Sequence, residues 1–178
     1  MSSNNQLRTH IAIIGAGPGG ICTGIQLLKA GVEDFVILEK AAGIGGTWWH
    51  NRYPGAECDV PSHLYSFSFE PKKDWSRPYA RQPEILDYMR HCVAKYELLP
   101  YIRLSKEVGS ARWDNTSSTW KLSLADGTSV KSDILISGVG MFTELNYPEI
   151  PGINEFKGTM FHTGAWKEGH DLTGERVA

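Results

Sequence analysis

The sequence has few cysteines, and those that it has stand far apart. Only three occur in 178 residues, Cys22, Cys58 and Cys92, and no two of them form a C-x-x-C pair. This argues against a disulfide scaffold, a thiolate zinc site and a dithiol redox centre. No metal site is therefore predicted, and the cytoplasm, a reducing compartment, is the expected location.

An excess of charge of either sign is also absent. Lys and Arg together number 18 against 20 Asp and Glu, which gives a formal net charge of -2 at pH 7. A nucleic-acid partner would favour a basic face, so none is predicted. The stretch 11–28 has no charged residue, but it contains five glycines and Pro18. Because a membrane helix tolerates so many breakers poorly, neither a signal peptide nor a membrane span is predicted.

What the sequence does contain is a cluster of glycines directly after a short apolar segment. Residues 9–14 predict a buried strand, and residues 15–20, GAGPGG, fit the pattern G-x-G-x-x-G. Apolar residues then recur at helical spacing over 21–28, and 35–38 predict a second strand that ends at Glu39. This order within about 30 residues is typical of a Rossmann-type βαβ unit that binds a dinucleotide.

Each glycine of the pattern has its own mechanical reason. Gly15 permits the tight turn, Gly17 lets the backbone approach a pyrophosphate, and Gly20 allows close packing of helix and sheet. The start of the helix offers unpaired N–H groups and a partial positive charge to the phosphates. Glu39 stands where a carboxylate accepts both hydroxyls of an adenosine ribose and repels a 2′-phosphate. The predicted ligand is therefore FAD or NAD rather than NADP.

A loop rich in glycine and aromatic residues follows the second strand. It reads GGTWW over 45–49 and RYPGAECD over 52–59. The backbone N–H groups of Gly46 and Thr47 are expected to face a polar part of the cofactor. Asp59 is a short acid among aromatics that we expect to be partly buried, which makes it a candidate site residue. A turn-forming or helix-capping role for Asp59 is the alternative.

This loop separates two families of flavoproteins. Flavin disulfide reductases carry a similar G-G-T followed by a cysteine of their redox pair, but Trp48 stands at that position, which excludes the dithiol mechanism. The loop resembles instead the Baeyer–Villiger monooxygenase pattern (A/G)-G-x-W-x-x-x-x-(F/Y)-P-(G/M)-x-x-x-D. All seven fixed positions are met from Gly45 to Asp59.

The middle of the chain predicts the rest of a Rossmann-type domain. Pro83 begins a helix over 83–96 whose apolar stripe is core. Residues 107–131 predict a β-meander with a hairpin at Asp126-Gly127, a common insert in FAD-binding domains. The segment from Asp133, with its apolar run 134–136, predicts a buried central parallel strand, and the glycines that follow it are expected at the ligand-binding edge of the sheet.

A second pattern near the end of the chain also resembles the Baeyer–Villiger family. The family pattern F-x-G-x-x-x-H-x-x-x-W-(P/D) is met at Phe156, Gly158, His162 and Trp166, and departed from at Lys167. Sister N-oxygenating monooxygenases usually end this pattern with Tyr or Phe, so Trp166 favours the Baeyer–Villiger branch, while Lys167 keeps N- or S-oxygenation open. No Ser, Cys or carboxylate forms a recognisable dyad with His162, so a structural or domain-coupling role is favoured over proton transfer.

The resemblance implies an α/β fold, with a parallel sheet and a β-meander insert in a Rossmann-type FAD-binding domain over 1–150. An interdomain linker over 151–178 would enter the first strand of a second, NADPH-binding Rossmann domain outside this chain. In the complete enzyme, NADPH reduces FAD, O2 forms a C4a-peroxyflavin, and a ketone becomes an ester or lactone. The chain alone is expected to lack NADPH-dependent turnover. A non-enzymatic, stand-alone dinucleotide-binding module is a further alternative, and the oligomeric state is not predicted.

The candidate site residues come from the glycine cluster, the second strand, the loop and family positions. Asp59 is the catalytic candidate, because the family residue at this position supports an arginine, outside this chain, that stabilises the peroxyflavin. The predicted cofactor-binding residues are Gly15, Gly17, Pro18, Gly19, Gly20, Glu39, Lys40, Gly46, Thr47, Trp48, Asp59, Tyr65, Val108 and Gly140.

Overall fold

A six-stranded mixed sheet forms the centre of the protein in the computed structural model, which describes residues 6–142 and 144–177. The strand order is β3-β2-β1-β6-β5-β4, the first four strands being parallel and the last two antiparallel to their neighbours. The elements are β1 (Gln6–Ile14), α1 (Pro18–Lys29), β2 (Phe35–Leu38), α2 (Thr47–His50), α3 (Gln82–Lys95), β3 (Ile102–Arg103), β4 (Val108–Asp114), β5 (Thr119–Leu124) and β6 (Ser129–Ser137).

The βαβ unit predicted from the glycine pattern is confirmed. β1 and β2 pair in parallel from Ile11 opposite Phe35 to Ile14 opposite Leu38, and α1 connects them. β1 starts three residues earlier than predicted, because its polar first residues pair with β6, beginning with Gln6 opposite Ser129. A Cβ at Gly24 would lie 2.9 Å from the Ile37 side chain, so α1 lies close to β2.

The sheet is covered on both faces near β1 and β2. Successive side chains of a strand point to opposite faces, so β1 contributes to two separate cores. Ile11 and Ile13 pack with the apolar stripes of α1 and α3, which confirms the predicted helix over 83–96 within one residue. Ala12 packs on the other face with Leu122, Leu124 and Val130 of the meander. All four residues of β2 are buried as a result.

The β-meander predicted over 107–131 is confirmed by β4, β5 and the start of β6. Strand β6 closes the meander and also serves as the central strand that was expected separately at 133–136. Val130 is opposite Leu122 in the antiparallel pair and opposite Leu7 in the parallel pair, so one segment bonds to both neighbours. The sheet is therefore mixed. The expected burial of this strand is wrong, since the Ile134 side chain is 43% exposed. The reason is that the described helices pack on the β2 side of the sheet.

Four cationic side chains lie side by side across the polar surface of the meander and β1. Direct cross-strand pairs connect them on four adjacent strands. Asp114 pairs with one of them at 2.6 Å, and Asp133 pairs with another at the opposite end. Like charges directly opposite each other in a sheet repel, so this arrangement costs stability. This cationic row consists of Arg112, Lys121, Lys131 and Arg8.

Two buried serines differ in whether their hydroxyls have partners. Ser132 is fully buried, and its Oγ has no hydrogen-bond partner within the described ranges. Ser62 is 1% exposed, and its Oγ lies 2.9 Å from the carbonyl oxygens of both Arg77 and Pro78, to which it donates.

We expect Ser132→Ala to leave the free energy of unfolding unchanged or to raise it by up to about 1 kcal/mol, because an unpaired buried hydroxyl is removed. Ser62→Ala should lower it by about 1 kcal/mol, because the carbonyl oxygen of Arg77 loses the hydroxyl donor, while that of Pro78 keeps the backbone N–H of Ser62. Urea denaturation of the two variants measures both values. Equal losses in the two variants would contradict the assigned hydrogen bonding.

Glu70 joins the segment before α3 to the end of that helix. Its carboxylate accepts hydrogen bonds from Lys95 Nζ at 2.7 Å and the Tyr96 hydroxyl at 2.9 Å, and His91 Nε2 lies at 3.3 Å. These contacts, that of Lys95 above all, lower the pKa of Glu70 from 4.5 to about 2. The ionised carboxylate therefore stabilises the folded chain.

The contribution of Glu70 should be fully present above pH 4.5 and lost as the pH falls towards 2, because the unfolded chain binds this proton first. Glu70→Gln should therefore reduce stability at pH 7 and flatten its dependence on pH between 4.5 and 2. Denaturant titrations across that range measure the slope, with the exposed Glu33→Gln as the control. A slope unchanged from the parent protein would contradict the assigned pKa.

After β6 the described residues form no further strand or α-helix. Two short 3-10 turns lie at Ile153–Glu155 and Thr163–Ala165. The strand expected to begin near the end of the chain is not formed in 172–177, since an extended segment is stable only beside a partner strand, and Ala178 lies outside the described residues. No helix within 6–142 and 144–177 has the length and apolar character that crossing a membrane requires.

Candidate active site

The glycine turn brings the carboxyl ends of three parallel strands together. Gly15 has a φ of +97°, and its N–H donates to the carbonyl oxygen of Leu38 at 2.8 Å. The N–H of Gly138, just after β6, donates to the carbonyl oxygen of Ile14 at 2.8 Å. A Cβ at Gly15 would lie 2.5 Å from the carbonyl oxygen of Gly138, so only glycine fits this turn.

The last glycine of the pattern fixes the start of α1 against this turn. A Cβ at Gly20 would lie only 1.9 Å from the carbonyl oxygen of Gly15, which confirms the predicted close packing. Gly19 is on the opposite side of the first helical turn, is exposed, and has no neighbour within 4 Å of an added Cβ. The first N–H groups of a helix have no acceptor within the helix, so this open side suits an anion.

Glu39 is a buried carboxylate at the end of β2. It is 4% exposed, and its two oxygens accept backbone N–H groups of Ala16 at 2.7 Å and Ala41 at 2.8 Å. It therefore connects the glycine turn with the loop that follows β2. A carboxylate has about four acceptor sites, so two remain for a ligand.

A first cleft of about 800 Å³ opens over these features. It is formed by the carboxyl ends of β1, β2 and β6 and the starts of α1 and α2. Gly20 packs behind the cleft and does not line it. The predicted residues that do line it are Gly15, Gly17, Pro18, Gly19, Glu39, Lys40, Gly46, Thr47, Val108 and Gly140.

Several lining residues of the first cleft were missed from the sequence. Lys106 and Glu107 precede Val108, and the backbone N–H of Lys106 donates to the carbonyl oxygen of Glu39 at 2.8 Å. His50 stands one helical turn after Thr47 and lines the same cleft. The helical spacing of His50 from Thr47 could have predicted that His50 lines the same cleft as Thr47. Nothing in the local sequence marks the approach of the 106–107 backbone to β2.

Trp48, Asp59 and Tyr65 line a second cleft of about 720 Å³, so the predicted residues divide between two adjoining clefts. The two clefts share Thr47 and the segment that follows Gly140. Asp59 is exposed, and the expectation of partial burial is wrong. The segment 56–59 is extended, with Ala56 and Cys58 pointing inward, which turns Asp59 outward to the rim.

Trp48 forms a fixed wall of the second cleft. It is 7% exposed, and its Nε1 donates to the Tyr65 hydroxyl at 2.9 Å, with the two rings edge to face at 5.6 Å. Its carbonyl oxygen accepts a hydrogen bond from Gln82 Nε2. Burial raises the pKa of Tyr65, so its phenol stays neutral and the cleft gains no charge here.

His162 also lines the second cleft, together with Asp59. Its Nδ1 accepts the N–H of Gly164 at 3.0 Å and so caps the turn Thr163–Ala165, while its own N–H donates to the Tyr147 hydroxyl at 3.1 Å. No hydrogen bond joins His162 to Asp59 in the part of the chain that is described. These contacts agree with the structural role expected for His162.

An arginine holds the end of the chain against the loop of the second cleft. Arg52 Nη1 lies 2.7 Å from Glu168 Oε1, and its guanidinium is 4.3 Å above the Trp49 ring. Arg52 Nε also donates to the carbonyl oxygen of Trp49 at 2.8 Å. The segment that carries the second sequence pattern is therefore attached to the loop that carries the first.

The sequence profile of the pyridine nucleotide-disulphide oxidoreductases matches residues 12–178, and the chain belongs to this family. The family is the class that the glycine turn and the buried Glu39 define. The chain has no C-x-x-C cysteine pair, and Cys22, Cys58 and Cys92 are free in the structure. Trp48 stands where the disulfide reductases have a redox cysteine.

More particularly, the chain is similar to Baeyer–Villiger monooxygenases, which confirms the predicted resemblance. It is 45% identical to the Baeyer–Villiger monooxygenase of Pseudomonas aeruginosa over 168 residues, 94% of this chain and 32% of that protein. Cyclohexanone monooxygenase from Rhodococcus sp. Phi1, solved with NADP+, superposes with a TM-score of 0.86 at 37% identity over 94% of this chain and 32% of that one. OTEMO, solved with FAD and NADP, superposes with a TM-score of 0.85 at 31% sequence identity, over 93% of this chain and 33% of that one. The chain spans about a third of the length of the curated relatives it matches.

Proposed function

We propose that this chain is the FAD-binding part of an NADPH-dependent monooxygenase of the Baeyer–Villiger type. Residues 1–150 form its FAD-binding domain, and 151–178 connect to an NADPH-binding domain. The observation that carries the proposal is Glu39, a buried carboxylate with two free acceptor sites, facing the open start of α1 across one cleft. The solved relatives that bind FAD and NADP support the identity of the cofactors.

The two clefts fit the two halves of FAD. Backbone forms the wall of the first cleft where Gly17 approaches Gly46, since a Cβ added at Gly17 would lie 3.5 Å from the Cα of Gly46. A Cβ added at Gly19 would have no neighbour within 4 Å, so the space there is open. The diphosphate would lie there, and Glu39 would hold the adenosine ribose. The second cleft, which adjoins the first at Thr47, would receive the flavin ring beside Trp48.

Bound FAD, once reduced by NADPH, supplies the activation of O2 for oxygen insertion next to a ketone carbonyl. The residues of this chain bind and orient the cofactor and exclude water from it. Buried Trp48, held by Tyr65 and Gln82, gives the second cleft an apolar wall. Asp59 is placed at the rim, where its exposed carboxylate can orient a cationic side chain from outside this chain. Three unpaired cysteines support a reducing, cytoplasmic location.

Cofactor retention tests the binding half of the proposal. The purified chain is incubated with FAD or with riboflavin, desalted, and measured by visible absorption and circular dichroism. We expect FAD to be retained and riboflavin to be lost, because the first cleft binds the ADP half. A folded chain that retains neither, or retains both equally, would contradict the assignment of the first cleft.

Product analysis of the full-length protein tests the activity. With NADPH, O2 and a cyclic ketone, the expected product is a lactone. Formation of an N-oxide from an amine without any lactone would favour the N-oxygenating alternative, for which Lys167 is the motive. If neither NADPH nor any other electron donor reduced the bound flavin, a dinucleotide-binding module without catalytic activity would be favoured.

A further inference from the structure

His50 lines the first cleft from the short helix α2. Thr47 and His50 are three residues apart on the single turn of α2, so they share one face, and both line the first cleft. Trp48 lies on the opposite side and lines the second cleft. The face that carries His50 is therefore directed at the adenosine half of the proposed ligand.

The start of α2 is adjacent to the start of α1. A Cβ at Gly46 would lie 2.9 Å from the Cα of Gly17, so the two helix starts are in backbone contact. Thr47 is thus next to the place of the diphosphate, and His50 is one turn, about 5 Å, further along. His50 and Glu39 line the same cleft.

The charges around His50 favour a neutral ring in the free protein. Burial lowers the pKa of His50 below 6.5, and Lys40 and Arg52 add to this, while Glu39 opposes it. The charged side chains that line the cleft beyond these are Lys106, Glu107 and Glu144. At neutral pH the imidazole of the free protein is therefore neutral, and it can become protonated when a negatively charged ligand binds beside it.

We propose that His50 contacts the diphosphate of the bound nucleotide and takes up a proton as the nucleotide binds. The inference rests on the proposed function. Two phosphate charges favour the imidazolium, so the pKa of His50 is higher in the complex than in the free protein. Affinity must then rise as the pH falls through the higher of these two pKa values and level off below the lower one.

The test compares FAD binding by the parent chain, His50→Gln and His50→Phe between pH 5.5 and 8. Flavin fluorescence gives the affinity, and calorimetry in two buffers of different ionisation enthalpy gives the protons taken up. We expect the parent chain to bind about fivefold more tightly at pH 5.5 than at pH 7.5, with fractional proton uptake near pH 6.5. Both variants should bind with a flatter pH profile and no uptake.

His63→Gln is the matched control, since His63 lines neither cleft, and its pH profile should equal that of the parent. Two results would overturn the inference: a parent profile identical to that of His50→Gln, or undiminished affinity in His50→Phe, which would indicate ring stacking. Failure of the parent chain to bind FAD at any pH would instead contradict the proposed function.

Discussion

Gly20→Ala should abolish both the stable fold and the retention of FAD. Its new Cβ would lie 1.9 Å from the carbonyl oxygen of Gly15, a distance that no side-chain rotation relieves, because both atoms belong to fixed backbone. Either α1 or the glycine turn must move, and the turn holds β1, β2 and β6 together. We expect a loss of at least about 3 kcal/mol in the free energy of unfolding, measured by thermal or urea denaturation.

Gly19→Ala is the matched control for this substitution. It introduces the same methyl group one residue earlier, into space with no neighbour within 4 Å. Alanine is favoured over glycine in a helix, so the control should be as stable as the parent chain or slightly more stable. If Gly20→Ala had the same melting temperature as the Gly19→Ala control, the close packing of α1 against the turn would be refuted.

Glu39→Gln should weaken FAD binding by about a hundredfold, with a smaller loss of stability. Its carboxylate accepts the N–H groups of Ala16 and Ala41, and an amide would turn an NH2 group towards one of these donors. A buried donor left without an acceptor costs about 1–3 kcal/mol. The ribose hydroxyls lose a charged acceptor in addition, which accounts for the larger effect on binding.

Titration with FAD at a temperature where both proteins are folded separates the two effects. Exposed Glu33→Gln, which makes the same chemical change away from both clefts, should match the parent chain in affinity and in melting temperature. Equal FAD affinities for Glu39→Gln and the parent would remove Glu39 from the ribose site. Binding of 2′,5′-ADP should also improve relative to 5′-ADP in this variant, since the carboxylate no longer repels the 2′-phosphate.

Local patterns predicted the elements whose residues are determined by near neighbours. The glycine spacing predicted the turn at Gly15 and the packing at Gly20, since both depend on the absence of a Cβ. The apolar segment 35–38 predicted β2, and helical periodicity predicted α3 to within a residue. Glu39 was predicted at the end of the second strand of a βαβ unit, but its burial was not predicted.

Features that depend on distant pairing were not predicted. The meander to 131 and the strand from 133 were predicted as separate elements, yet β6 is one strand because β1 and β5 both bond to its backbone. Asp59 was expected to be partly buried, but in the extended segment Cys58 points inward and Asp59 is exposed. The division into two clefts depends on the segment after Gly140, whose course has no periodic signal in the sequence.

The cationic row bears on how copies of this chain can meet. Strand β4, which carries Arg112, is the edge of the sheet, and an exposed edge offers unpaired backbone groups to another copy. A strand of a second copy that paired with β4 would lie about 4.8 Å from it, so a cation of that copy opposite Arg112 would be inside the Debye length of about 8 Å in physiological salt. The same repulsion that costs each molecule some stability therefore also opposes pairing of copies at the β4 edge, and salt near 1 M, where that length falls to about 3 Å, would weaken this opposition.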